Sequence, residues 1–155
     1  MNTPYQNIIE KFIKKIKQDV KFFMYNGLSE DQIENIVLER SLEFLDSACD
    51  ELEPQLDQLT LSNRDDSIQI FDDELTRIEI DVISDMMKVM YMREPLIKLK
   101  EFQKYLGNDI KAWSPNEERK TYLELLTEIE NKMQIKIDKC NSIDRITGGS
   151  RSLYG

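Results

Sequence analysis

The stretch TRIEIDVISDMMKVMYM, residues 76–92, decides the fold because it predicts a helix that is apolar around more than half of its circumference. Thr76 and Glu79 stand three residues apart at its start, a spacing at which two side chains bond each other's backbone amides in a capping box. The residues that follow share one apolar face: Ile80, Ile83, Met87 and Met90. We therefore expect this helix to be central, with other helices packed around it.

Start and stop signals predict four further helices, at residues 5–24, 29–53, 95–106 and 115–140. Ser29 and Ser114 each precede a glutamine or glutamate by three residues, which marks two of the starts. Gly27 and Gly107 mark two of the stops, since glycine tolerates the left-handed conformation that ends a helix. Pro95 interrupts the chain after the central helix, so residues 76–106 are expected to form a kinked pair of helices rather than one.

The last predicted helix carries a long packing stripe. Apolar residues recur along it at three- and four-residue steps: Tyr122, Leu126, Ile129, Met133, Ile137 and Cys140. At the standard rise, its roughly 25 residues span about 37 Å. A helix of this length suits a bundle or a ring interface.

Residues 54–73 are less regular. Ile68 and Ile70 alternate with polar residues, which predicts either a short strand near residues 67–71 or a loop that inserts apolar side chains. Four carboxylates of this segment, called here the middle acids, are Asp65, Asp66, Asp72 and Asp73. They lack the alternating oxygen ligands, the glycine and the distal glutamate of an EF-hand loop, so capping and solvation are expected in place of a metal site.

Length and composition predict a single domain with an all-α fold. The 155 residues, 40% of them hydrophobic, suffice for one modest core. We expect a helical bundle of about five helices at residues 1–147, with an irregular middle loop, and an extended C-terminal arm at residues 148–155. The basic first helix could lie on an anionic membrane, but its apolar stripe is needed for the core. With no signal peptide pattern and no run of about 18 apolar residues, no membrane association is expected.

The net charge of −9 is unevenly distributed. Residues 28–85 hold eighteen acids and three arginines, a charge of −15. Such a segment repels phosphate, so specific DNA or RNA binding by the domain is not expected. The acids predict a solvated face or, alternatively, a docking surface for a basic partner.

Residue types needed for common catalytic chemistry are missing. The chain has no histidine, which excludes Ser-His and Cys-His relays and histidine-ligated zinc. Neither GxGxxG nor GxxxxGK[ST] occurs. Cys49 and Cys140 show no CxxC spacing and are expected to be buried thiols in a reducing compartment. We therefore predict that the protein is not an enzyme and binds no cofactor or metal.

Two stretches together resemble the small all-helical neck proteins of tailed bacteriophages, the head-tail connector or adaptor proteins beneath the portal. They are DDELTRIEIDVISDMMKVMYMREPLIKLKEF, residues 72–102, and NDIKAWSPNEERKTYLELLTEIENKM, residues 108–133. The resemblance covers roughly residues 40–140 and consists of helix lengths and caps. It implies a homo-oligomeric ring, commonly of twelve copies, that binds the portal and other neck and tail proteins. The expected location is the virion neck, with assembly in the host cytoplasm.

The resemblance also gives an interpretation of the glycine- and arginine-containing end of the sequence. Arms of this family reach onto the portal, and Gly148 and Gly149 would free the backbone for such a path. The residues expected to dock on a partner are Arg145, Arg151, Leu153 and Tyr154. The middle acids are expected to face the channel, where they would let DNA pass without specific binding.

Two other functions stay open at this point. Met86, Met87 and Met90 could form an adaptable groove for a partner helix, which would make the protein a non-viral regulatory or binding module. Alternatively these methionines fill the core. A third interpretation is an acidic mimic of DNA that occupies a basic partner.

Overall fold

A computed structural model describes residues 2–18, 30–106 and 116–150, with side chains described at residues 2–16, 39–93 and 123–150. Those residues contain four α-helices: α1 (Tyr5–Gln18), α2 (Glu30–Leu52), α3 (Arg77–Leu106) and α4 (Asn116–Ser142). A short 3-10 helix, Glu53–Gln55, follows α2. Helix is thus the main secondary structure, as expected. None of the helices in this described part is both long enough and apolar enough to span a membrane.

The prediction of about five helices is wrong for the described residues, because α3 continues through Pro95. A proline inside a helix removes one amide donor and crowds the carbonyl four residues earlier, but it leaves the other hydrogen bonds of the ladder intact. In α3 the preceding turns, up to Met92, are buried in the core. Burial on that scale offsets a local penalty of about 3 kcal/mol.

A small antiparallel sheet makes the fold mostly helical rather than all-α. Its strands are β1 (Thr3–Pro4), β2 (Arg64–Asp65) and β3 (Ile70–Phe71), in the order β1-β3-β2. Phe71 is opposite Thr3 on one side and Arg64 on the other. The strand expected near residues 67–71 is confirmed at β3. The middle loop is more ordered than predicted. Strands of two residues are too short to show a period in the sequence, so the sequence pattern could not reveal them.

Several helix ends follow their sequence signals. The Thr76 amide donates to Glu79 Oε1 at 2.8 Å and the Glu79 amide donates to Thr76 Oγ1 at 3.3 Å, which confirms the capping box of α3. Helix α2 ends at Leu52, just before Pro54. The predicted extension of the first helix to residue 24, and the signals at residues 26–29 and 107–115, lie outside the described residues.

Helix α3 is the centre of the core, and α1, α2 and α4 all pack against it. Its buried side chains are fully enclosed: Val82, Ile83, Met87, Val89 and Met92. On α4, the described part of the stripe is buried at Leu126, Met133, Ile137 and Cys140 and partly buried at Ile129. Both cysteines are free and buried. The central position of residues 76–92 and the burial of both thiols are therefore confirmed.

Candidate protein-interaction site

A tight turn follows α4 and is called here the C-terminal turn, residues 143–150. The Asp144 amide donates to the Gly149 carbonyl, and the Gly148 amide donates to the Asp144 carbonyl, each at 2.7 Å. An antiparallel bridge pairs Ile143 with Ser150. Gly148 has φ +75°, a left-handed conformation that favours glycine. The glycine therefore lets the chain fold back on itself immediately after the helix.

Arg145 anchors this turn to the start of α3. Its Nε donates to Glu79 Oε2 at 3.0 Å, and its Nη2 donates to Glu79 Oε1 at 3.1 Å and to the Glu74 carbonyl at 3.0 Å. Hydrogen bonding to Glu79 raises the pKa of Arg145 above its ordinary value. Glu79 is 2% exposed, so this carboxylate is both the helix cap and the buried partner of the arginine.

Polar side chains after α2 hold the other side of the turn. Gln58 Nε2 donates to the carbonyls of Ile143, at 2.6 Å, and Cys140, at 3.3 Å. Its Oε1 accepts a bond from the Arg145 amide at 3.1 Å. The last carbonyls of a helix have no partner within the helix. Gln58 therefore caps the end of α4 and fixes the direction of the chain that leaves it.

Of the four predicted docking residues, one lies within the residues that the structure describes. Arg145 lies in the C-terminal turn, where it contacts its own domain. The structure describes the arm only as far as Ser150, and Arg151, Leu153 and Tyr154 lie outside the described residues. Docking of these residues on a partner stays a prediction.

Two of the middle acids, Asp65 at the end of β2 and Asp66 after it, belong to the connection to β3, called here the acidic turn, residues 65–69. Asp65 Oδ1 accepts bonds from the Ser67 amide at 2.9 Å and from its hydroxyl at 2.5 Å. These bonds hold the pKa of Asp65 below its ordinary value. Asp66 Oδ1 accepts a bond from the Tyr5 hydroxyl at 2.6 Å. The turn is thus an exposed but ordered feature.

The remaining middle acids follow β3. The backbone of Asp72 is fixed by a bond from its amide to the Asn63 carbonyl at 3.0 Å, and its side chain is exposed. The Asp73 carbonyl accepts a bond from Thr3 Oγ1 at 3.1 Å, and its side chain is half-buried. The structure therefore places all four middle acids at or beside the sheet. Whether they face a channel stays a prediction.

Sequence reasoning missed a network of charges between α1, α3 and α4. Lys15 Nζ lies 2.7 Å from Asp81 Oδ1 and 2.6 Å from Asp85 Oδ1, and Lys136 Nζ lies 2.7 Å from the second oxygen of each carboxylate. Lys11 approaches Asp81 to 3.2 Å. Burial opposes ionisation of Asp81, but hydrogen bonds from Lys136 and Lys15 outweigh it and hold the pKa of this carboxyl well below its usual range.

A signal for this network was present in the sequence. Asp81 and Asp85 stand four residues apart on a helix that is otherwise apolar, and buried carboxylates are rare unless they are paired. The basic side of α1 supplies one partner. The network joins three helices, so its first role is to hold the bundle together.

The methionines of α3 fill the core. Of the three methionines proposed for a groove, Met86 is 2% exposed, Met87 is fully buried and Met90 is partly buried against the core. Burial of these thioethers favours core packing over an open groove for a partner helix. Within the ranges that the structure describes, no three acidic or cysteine side chains come together as metal ligands.

The sequence matches no protein-family model, and the chain matches neither a curated protein nor a solved structure.

Proposed function

We propose that this protein is a non-enzymatic structural subunit of the neck of a tailed phage, forming a homo-oligomeric ring that joins the head to the tail. The ring would bind the portal protein and further neck or tail proteins. DNA would pass through it without specific binding. Its place is the virion neck after assembly in the host cytoplasm.

The observation that carries this proposal is the anchoring of the C-terminal turn. Arg145 and Gln58 fix residues 143–150 against α3 and the segment after α2. Ser150, the last described residue, is therefore held at a defined position by its bridge to Ile143. A short arm that leaves a fixed point loses less conformational freedom on docking than one that leaves a mobile helix end. Arg151, Leu153 and Tyr154 then offer a guanidinium and apolar area to a neighbour.

Ion pairs between the helices also support a structural role. Lys15, Asp81, Asp85 and Lys136 neutralise one another between the helices. Such a network braces a subunit that must transmit force between head and tail. The exposed middle acids, Asp72 among them, supply a surface along which a phosphate backbone would slide rather than bind.

The test is assembly with the portal ring of the same phage, observed by mass photometry and negative-stain microscopy. We compare the full chain with a variant that ends at Ser150, which keeps the C-terminal turn with Arg145 and lacks residues 151–155, including the proposed docking residues Arg151, Leu153 and Tyr154. The expected result is a ring on the portal for the full chain and a loss of at least about tenfold in portal affinity for the shortened one.

Variant Lys132→Ala is the matched control, since it changes an exposed residue of α4 that pairs with Glu128 one turn away, at 2.9 Å. It should bind like the natural chain. The proposal is wrong if the full chain forms no ring in the presence of the portal.

A further inference from the structure

A half-open cavity of about 610 Å³ lies where α1, the first turn of α3, the last turns of α4 and the C-terminal turn meet. Five cationic and three acidic side chains line it, so its walls are net positive in a chain of net charge −9. Ile78 and Ile143 add apolar surface. The cavity therefore suits an occupant that is both acidic and apolar.

Two of the cations are available to such an occupant. Lys136 and Arg145 are already paired with carboxylates of α3. Arg77 and Lys139 are exposed, and neither side chain makes a hydrogen bond or ion pair with any residue in the part of the chain that the structure describes. These two side chains stand on different helices and line the same cavity.

The acidic turn has the complementary chemistry. The side chain of Asp65 is exposed, and the side chain of Ile68 is 63% exposed. Asp65 bonds Ser67, Asp66 bonds Tyr5, and Gln69 is held at φ 55°. Because the turn is already ordered, little conformational freedom is lost when it docks.

We propose that the acidic turn of one copy of this chain docks into the cavity of the next, with Asp65 between Arg77 and Lys139 and Ile68 against Ile78 and Ile143. This inference rests on the proposed ring. The two surfaces differ, so the contact is head-to-tail and can repeat until the ring closes. In this arrangement Asp65 belongs to a subunit interface, and Asp72 and Asp73 remain for the wall of the passage.

The experiment mixes two variants that each lack one surface. The cavity variant is Arg77→Glu with Lys139→Glu, and the turn variant is Asp65→Asn with Ile68→Ser. Glutamate is well tolerated at position 77, the first residue of α3, because the helix dipole favours an acid there. Lys14→Glu with Lys132→Glu is a control with the same change of net charge, at exposed sites outside the cavity. Circular dichroism checks that all the variants fold.

Sedimentation velocity of the isolated chains then measures self-association. We expect the natural chain and the control to self-associate, and each variant alone to associate at least about tenfold more weakly. The equimolar mixture of the two variants should form a one-to-one dimer and stop there, because the intact turn of one docks in the intact cavity of the other and both surfaces left free at the ends are mutated.

Three results would overturn the inference. The first is self-association of both variants at the strength of the natural chain, which leaves the ring proposal standing. The second is a mixture that stays monomeric while the natural chain self-associates, and the third is a natural chain that is monomeric at every concentration. In this third case the ring proposal is judged separately by adding the portal, since rings that form only on the portal would preserve it.

Discussion

Replacing Lys15 by methionine tests whether the charge network stabilises the helix packing. The substitution keeps much of the aliphatic length of the side chain and removes the ammonium that lies 2.7 Å from Asp81 and 2.6 Å from Asp85. It also removes the hydrogen bond to Ser84 Oγ at 2.8 Å. Breaking a buried ion pair costs about 3–5 kcal/mol when the remaining charge loses its only partner.

Here the remaining carboxylates keep part of their compensation. Lys136 stays 2.7 Å from both of them, and Asp81 and Asp85 are 23% and 13% exposed, so the full cost does not apply. We expect the free energy of unfolding to fall by about 2 kcal/mol at pH 7. For a chain of this size that lowers Tm by about 4–8 °C. Urea titration followed by circular dichroism measures the difference.

The dependence on pH provides the sharper measurement. The pKa of Asp81 is lower in the folded chain than in the unfolded chain, so its stabilisation is complete above the ordinary carboxyl pKa and is lost as the pH falls through the folded value. The difference between the natural chain and Lys15→Met should therefore be full at pH 7 and should shrink below about pH 4.

Lys14→Met is the matched control, one residue away on the exposed side of α1. Its effect should stay within about 0.5 kcal/mol. The reasoning is refuted if the two variants are equally stable at pH 7, or if the difference between Lys15→Met and the natural chain is unchanged at low pH.

Three further results are expected. Glu79→Ala should lower the free energy of unfolding by about 2–3 kcal/mol in urea titration, because Arg145 loses its partner. Thr76→Ala loses only the cap and should lower it by about 1 kcal/mol. Equal losses would count against the Arg145 pair. Cys49 is fully buried, and burial raises the pKa of its thiol to about 12. Iodoacetamide at pH 8 should therefore alkylate Cys49 at least about 100-fold more slowly in the native chain than in urea. Rapid labelling of the native chain, measured by mass spectrometry, would contradict the buried position. Changing Asp72 and Asp73 to asparagine should slow DNA ejection from assembled particles, and an unchanged ejection rate would remove these acids from the proposed passage.

The parts of the fold that sequence reasoning predicted well are those with local causes. The capping box of Thr76 and Glu79 needs only residues three apart, and the burial of residues 76–92 follows from their helical period. Pro95 shows the limit of a local rule. A proline inside a helix destabilises the helix by a few kcal/mol, and burial of the turns before Pro95 offsets this cost, so α3 continues.

The candidate site depends on contacts that no local pattern encodes. Glu79 could be predicted as a cap, but its pairing with Arg145 joins residues 66 apart in the chain. The same holds for Gln58 and the end of α4, a contact that spans 85 residues. A polar residue in a loop has many potential partners, and only the packed helices select one. The charge network could be predicted in part. Asp81 and Asp85 stand out in the sequence as acids on an apolar helix, but no sequence pattern identifies their lysine partners.

Residues 73–79 form hydrogen bonds both with the preceding strand β1 and with the C-terminal turn. These two sets of bonds cannot form at the same time during synthesis. The Leu75 amide donates to Thr3 Oγ1 across 72 residues, and Arg145 reaches the Glu74 carbonyl across 71. During synthesis β1 must wait until β3 emerges, and the C-terminal turn can close only after the helices that it contacts. Contacts of such separation slow folding, since a long loop must close before they form. A nascent chain that stops before Arg145 would leave the buried carboxylate of Glu79 without its guanidinium, so this junction is complete only after Arg145 has emerged.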